Sequence, residues 1–547
     1  MEGKPLLTIS LILLFFLAAT SSATATSFPL STRSKWIVTS SGHRFKLRCV
    51  NWPGHLSAMV AEGLEKKPLD DIAAKVASTG FNCVRFTWAL FMFTRTNYTK
   101  LTVSQSLDLW NLTNAKAGIA QHNPHILNLS ILDAQRAVVS ALGAHNVKVV
   151  LDNHISRPMW CCNDNDGNGF FGDKDLDPDE WLRGLTIVAK LYKNNPAVVA
   201  MSIRNEPRGP RQNENDWYKY MQKGAKVIHK ANPEVLVLIS GLSYSANLEF
   251  LKKKPVEPIP RNKMVYEAHW YSWFSFGSEL GSWVDQPNEV CGNASRLFID
   301  QIGFVATGSD PYPLFLSEFG VDQRGDEGQD RFLSCFLAKM AEMDLDWAMW
   351  ALQGSYMLRE NNTDMEEVYG VLSYGWDRLR NPKLIRRLQL IQQSTHDPNS
   401  ITPSYYILYH PHSGQCVQVG RSIIYGADCW RWSRWSHEKD GGPISLAGGR
   451  MCLKALGDGL PVAVSRDCSG QQSMWSTISA SKLHIATKDK QGKLLCLERN
   501  PDSNSPVILT KKCLCVGDDS KDVSKCGDDP QRQWFKLVPS NRHELIH

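Results

Sequence analysis

Val198-Val199-Ala200-Met201-Ser202-Ile203-Arg204-Asn205-Glu206-Pro207 and, further along, Pro313-Leu314-Phe315-Leu316-Ser317-Glu318-Phe319-Gly320 each run apolar and then stop at a carboxylate. A buried parallel strand reads this way when it delivers one polar residue at its C-terminal tip. Two glutamates delivered so suggest glycoside hydrolysis, in which one carboxyl group protonates the departing oxygen and another attacks or activates water. Taken singly, either tract is equally an acidic residue opening a loop.

Similar tracts recur through the N-terminal chain, with helical stretches between them: Phe45 to Trp52, Phe81 to Trp88, Val147 to His154, Val198 to Glu206, Val235 to Gly241, Met264 to Trp270, Leu314 to Glu318 and Asp346 to Trp350. Strands that alternate with helices demand a parallel sheet, and eight of them close most economically into a (β/α)8 TIM barrel. Polar and aromatic residues gather at the tract ends, where such barrels build their active sites, while residues earlier in each tract pack the core.

The Asn205-Glu206-Pro207 triplet, Ser317-Glu318-Phe319-Gly320, Arg85 ending Asn82-Cys83-Val84-Arg85, His154 ending Leu151-Asp152-Asn153-His154, His269 and Tyr271 within Glu267-Ala268-His269-Trp270-Tyr271, and Trp350 follow one another in chain order. Through them residues 28–395 resemble glycoside hydrolase family 5, the cellulase and β-mannanase group. The resemblance implies a β-linked polysaccharide or glycoside as substrate, with Glu206 as acid/base and Glu318 as nucleophile. Glu206 then needs a pKa raised by burial and by the neighbouring Glu318, which itself stays ionised beside Arg85. Tyr271 is expected to donate to Glu318, Asn205 to hold the sugar 2-hydroxyl, and His154 and His269 to bond other hydroxyls. His154 also reads as a satisfied core histidine. Trp350 would floor the subsite where the bond breaks; Trp160, Trp270, Trp273 and Phe274 either line further subsites or pack loops. The same residues would serve a transglycosylase, and without turnover the barrel would be a carbohydrate-binding protein.

Leu6 to Ala19 is nearly all apolar, follows Lys4 and precedes Thr20-Ser21-Ser22-Ala23-Thr24-Ala25, the pattern of a secretory signal peptide over residues 1–25. It is too short and wrongly flanked to span a membrane stably. Secretion to the cell exterior or wall agrees with fourteen cysteines and with sequons at Asn97, Asn111, Asn128, Asn293 and Asn361. Three of these lie between residues 97 and 128, which reads as a surface loop. A net charge of +6 over 547 residues with both signs interspersed points to neither a nucleic-acid nor a membrane partner, and a monomer is expected. No cofactor is implied. Asp164-Asn165-Asp166-Gly167-Asn168-Gly169 with Asp175 has the spacing of a calcium loop, but it follows a barrel strand rather than joining two helices, so it reads as a turn and no metal is assigned. Cys161 and Cys162 are expected to pair elsewhere.

The barrel is expected to end in a helix from Leu384 to Gln393, followed by a polar linker at 396–404 broken by two prolines. Beyond it, Cys416 to Cys429 and Trp435, Cys452 to Cys468 and Trp475, and Cys496 to Cys513 and Trp534 form three similar units. Residues 405–540 thereby resemble an all-β, ricin B-type β-trefoil, which implies one disulfide per unit. Sugar-binding units of that kind carry an aspartate where this chain has Gln418, Lys454 and Glu498, so weak glycan binding is expected at most, through the third unit.

Overall fold

Eight strands close a parallel barrel: β1 (Arg48–Trp52), β2 (Cys83–Ala89), β3 (Lys148–Ile155), β4 (Val198–Ser202), β5 (Leu236–Ser240), β6 (Met264–His269), β7 (Leu314–Phe319) and β8 (Asp346–Met349), with β8 pairing back onto β1. The computed structural model describes residues 28–274, 282–420, 423–500, 506–517 and 528–542; the expected signal peptide lies outside them. The strands are continuous apolar runs because both faces are covered. Cys49, Val150, Leu236, Leu238, Val265 and Phe315 fill the barrel, and alternate residues such as Leu151, Met201, Val237 and Leu316 pack against the helices. Each such side chain stabilises the fold by about 1.5–3 kcal/mol on full burial.

The helices that cover the barrel are α1 (Leu69–Ser78), α2 (Ile131–Ala144), α3 (Pro178–Leu191), α4 (Glu214–Ala231), α5 (Pro287–Phe298), α6 (Glu327–Met343) and α7 (Pro382–Leu388). Five of them start on a side-chain cap; Ser130, Asp177, Asn213 and Asp326 each accept from the backbone N–H three residues on, and Asn381 from the one two residues on. Such caps contribute about 1 kcal/mol each. Helix α7 is shorter than the sequence suggests. It begins on Asn381, whose side chain accepts from Lys383 N, and ends at Leu388.

Residues 97–128 are not the loop expected. They fold into short helices Thr96–Thr99, Val103–Leu109 and Thr113–His122. Thr102 and Gln105 form a reciprocal capping box, Val103, Leu107 and Ile119 are buried, and Asn123 ties the segment to the barrel by bonding Leu69 N, Leu64 O and Lys67 O. The sequons at Asn97, Asn111, Asn128 and Asn361 are exposed, while Asn293 is half-buried on α5.

Beyond the barrel the chain forms short antiparallel strands. Its first strand, Tyr405–His410, pairs with its last, Lys536–Ser540, from Tyr405 beside Ser540 to Tyr409 beside Lys536. Disulfides Cys416–Cys429, Cys452–Cys468 and Cys496–Cys513 each close a loop within one unit. This region docks on α5 and α6. The Asn288 Oδ1 accepts from Trp534 Nε1 at 3.0 Å and Ser481 Oγ at 3.1 Å, its Nδ2 donates to Cys515 O, and Lys536 pairs with Glu342. Trp534, Leu483, Cys291 and Cys335 share a small apolar core across the junction. The first half of the segment 396–404 is tied to both sides: Asp397 pairs with His43, Asn399 accepts from Arg33, and Ser400 Oγ donates to Asn541 O.

Candidate active site

Glu206 stands four residues past β4, at a φ of 45° that non-glycine residues seldom adopt. Three contacts hold it there: Asn205 N donates to Asn153 O on β3, Arg208 Nη1 donates to Glu206 O, and the Glu206 Oε1 lies 2.8 Å from His269 Nδ1. Glu318 sits one residue before the end of β7, and the barrel register sets it beside His269 of β6. Its Oε1 accepts from Arg85 Nη1 at 2.8 Å and its Oε2 from Tyr271 Oη at 3.1 Å.

Arg85 is fully buried on β2, which is tolerable because both terminal nitrogens of its guanidinium are answered. Besides Glu318 it meets Asn51 Oδ1 at 3.0 Å, Asn205 Oδ1 at 2.8 Å and Asp152 Oδ1 at 2.9 Å. Asp152 in turn lies 2.6 Å from His154 Nδ1. Sequence reasoning missed Asn51, Asp152 and the buried Glu267, which accepts from Ser202 Oγ. The signal was available, since Glu267 is two residues before His269 and so shares its face of the strand.

Burial pushes Glu206 up to about 7, with Arg208 and Arg85 opposing and Asp152 and Asp166 adding. Burial raises Glu318 too, and His269 and Arg85 pull it back. Burial drives His269 down to about 4, against the opposing pull of Glu318. Burial works against the Arg85 charge, but Asp152, Glu318 and Glu267 outweigh it and hold the guanidinium above its usual value.

Both glutamates open into a cleft of about 530 Å³. Trp350 lies in its wall, with His154 stacked on the indole at 5.7 Å. His154 is thus both a buried histidine and a cleft residue. Tyr271 stacks on the exposed Trp273 at 4.5 Å, and Trp160 and Phe274 also face the cleft. Trp270 does not. It points away from the barrel axis, buried against Phe298, Phe332 and Phe336, as strand alternation beyond His269 requires. The far side of the cleft is the hairpin Ser355–Arg359 with Asn362–Glu366, joined by Glu367 and Tyr369.

The loop after β3 departs from the sequence reading in one respect. Cys161 and Cys162 are bonded to each other and line the cleft; no other described cysteine reaches them. In the calcium-like stretch, Arg208 takes the central place. Its Nη2 meets Asp166 Oδ2 at 2.5 Å and its Nε donates to Asn163 O, while Tyr244 Oη donates to Asp164 and Arg157 pairs with Asp175. The Asn168 Oδ1 accepts from Ser156 N and Arg157 N. Oxygens of Asp164, Asp166 and Asn168 are thus engaged by the chain itself.

A family model described as cellulase (glycosyl hydrolase family 5) matches residues 38–355. A glycosyl hydrolase 5 family protein from Chamaecyparis obtusa is 43% identical over 98% of this chain and 97% of its own length. The major extracellular endoglucanase of Xanthomonas campestris pv. campestris is 24% identical over 64% of this chain and 69% of its own. Among solved structures, a hyperthermophilic endocellulase from the archaeon Pyrococcus horikoshii shares the fold, at a TM-score of 0.53 and 19% identity over 67% of this chain and 99% of that one. With the match running through both glutamate-bearing strands and a relative aligned almost end to end, this chain belongs to glycosyl hydrolase family 5 and is a glycoside hydrolase.

Proposed function

We propose that the protein is a secreted, retaining β-glycosidase that cleaves a β-linked glucan by double displacement. The observation that carries this is the pairing of the two carboxyl groups: an oxygen of Glu206 and one of Glu318 lie within 4.8 Å of each other, with His269 alongside. Retaining enzymes hold their carboxyl groups roughly 5–5.5 Å apart and inverting ones roughly 6.5–9.5 Å, to admit a water. A nearest-oxygen approach this short fits the closer, retaining arrangement, in which Glu318 attacks carbon directly.

In this reading Glu206, protonated up to about pH 7, gives its proton to the glycosidic oxygen as Glu318 attacks the anomeric carbon. Arg85 and Tyr271 hold the attacking carboxylate in line and keep it ionised. Glu206, now a carboxylate, takes a proton from the incoming water, which releases the sugar from Glu318. Asn205, oriented by Arg85, holds the 2-hydroxyl, and Trp350 carries the C–H face of the ring. The endoglucanases and endocellulase among the relatives and the aromatic cleft favour a β-glucan. Secretion is supported by the apolar N-terminal tract and by the disulfides.

Residues 405–540 we read as a β-trefoil that positions the barrel and binds sugar weakly or not at all. Glu498, the one acidic residue at the three comparable positions, is 2% exposed and accepts from Gln533 Nε2. Gln418 donates to Arg431 O and Lys454 pairs with Asp467. Following hydrolysis of a panel of wall polysaccharides and aryl β-glycosides, with the anomer of the first product read by NMR, tests the whole reading. A first product of inverted configuration, or no turnover across the panel, overturns it.

A further inference from the structure

The bonded pair Cys161–Cys162 stands beside the side-chain amide of Asn205. Asn205 is buried, and its Oδ1 is fixed by the Arg85 guanidinium, so its orientation is set and both hydrogens of Nδ2 must point the other way. There they meet His154 Nε2 at 3.5 Å, Cys161 Sγ at 3.9 Å and Cys162 Sγ at 3.8 Å. Sulfur is a weak acceptor, and the nitrogen contact lies at the limit of hydrogen-bond length. A buried amide donor is thus aimed at the cleft with no strong partner.

We propose that the Cys161–Cys162 disulfide is a positioning element for the sugar 2-hydroxyl: it walls the subsite with acceptors too weak to hold Asn205 Nδ2, and so leaves that donor for the substrate. This rests on the role given above to Asn205. A buried donor with weak partners gains most when a hydroxyl arrives, and gains further as that hydroxyl becomes more polar in the transition state. A serine hydroxyl in place of either sulfur would be a competent acceptor and would capture the amide first. The closed ring of two adjoining cysteines also keeps both sulfurs from turning away, which separate thiols would not.

The test compares the best aryl β-glycoside substrate with its 2-deoxy analogue. Wild type, C161S/C162S and C161A/C162A are measured on both, and wild type again after mild phosphine reduction that leaves its unfolding midpoint unchanged. In the serine variant the ratio of kcat/KM for the 2-hydroxy over the 2-deoxy substrate should fall about tenfold, the worth of one hydrogen bond, with the 2-deoxy rate within about threefold of wild type. The alanine variant and reduced wild type, which offer the amide no competent acceptor, should keep the ratio. A serine variant that lowers both substrates equally, with the ratio kept, has lost only structure and overturns the proposal. If the double serine variant fails to fold, C162S alone is read in its place. Should wild type bind the glycosides without turning them over, the same ratio is read from dissociation constants, so that a failed enzyme assignment is told apart from a failed role for the cysteines. Wild type that neither binds nor cleaves them overturns both.

Discussion

Arg85 Nη1 donates to Glu318 Oε1 at 2.8 Å, both side chains lying out of solvent. A charge-assisted bond of this kind fixes the attacking oxygen and favours the ionised form of the carboxyl group. Replacing Arg85 by methionine should lower kcat by about 100-fold or more. It should also move the acidic limb of the kcat/KM profile to higher pH, since a carboxyl group losing a cationic partner binds its proton more tightly. An acidic limb left where it was would show that Arg85 does not govern Glu318.

The two glutamates should separate in kinetics. Glu318→Ala removes the proposed nucleophile and should abolish turnover. Glu206→Ala should still be glycosylated by substrates with good leaving groups, then stall, with azide restoring part of the rate and giving a product of retained configuration. Retained product from azide with Glu318→Ala instead would reverse the assignment.

Glu206 also links stability to pH. Its folded pKa, pushed up to about 7 by burial, lies above the unfolded value, so the folded state binds the extra proton. The neutral carboxyl group is accommodated at low pH, and stability is lost as pH rises from about 4.5 through about 7. Glu206→Gln, which cannot ionise, should be more stable than wild type by a margin that grows across that window. Chemical denaturation at pH 4, 6 and 8 measures it, and a constant margin would contradict the linkage. The basic limb of the kcat/KM profile, which reports the free enzyme, should fall near the same pH.

Asn288 gathers the junction between barrel and C-terminal strands, accepting from Trp534 and Ser481 and donating to Cys515. Asn288→Ala strands two buried donors and should cost about 2–4 kcal/mol in unfolding free energy. Because α5 follows β6, which carries His269, kcat should fall as well. An unfolding curve unchanged from wild type would mean that the junction contributes little.

The eight strands were legible because a strand covered on both faces has no choice but to be apolar until its tip. The glutamate tips stood out for the same reason: a carboxylate after Leu314-Phe315-Leu316 breaks the run. Helices inside 97–128 were not, because Thr113–His122 buries only Ala115 and Ile119 and the rest of that helix reads as polar loop. Asp152 and Glu267 lie on the faces of His154 and His269, two residues on, so their inward placement was legible, but the partners that give them meaning are set by the register across the barrel. The Cys161–Cys162 bond escaped because spacing alone does not choose a partner for either thiol. Trp270 was left open between lining a subsite and packing, although the alternation that puts His269 inward already turned Trp270 outward.

The Arg208 guanidinium at the centre of the 163–169 loop has a further consequence. A counter-ion joined to the chain by covalent bonds is never diluted: it accompanies the loop at the same local concentration in dilute and in concentrated solution. The loop that carries Asn168 and underlies Glu206 is therefore braced by a charge that neither dialysis nor a chelator removes.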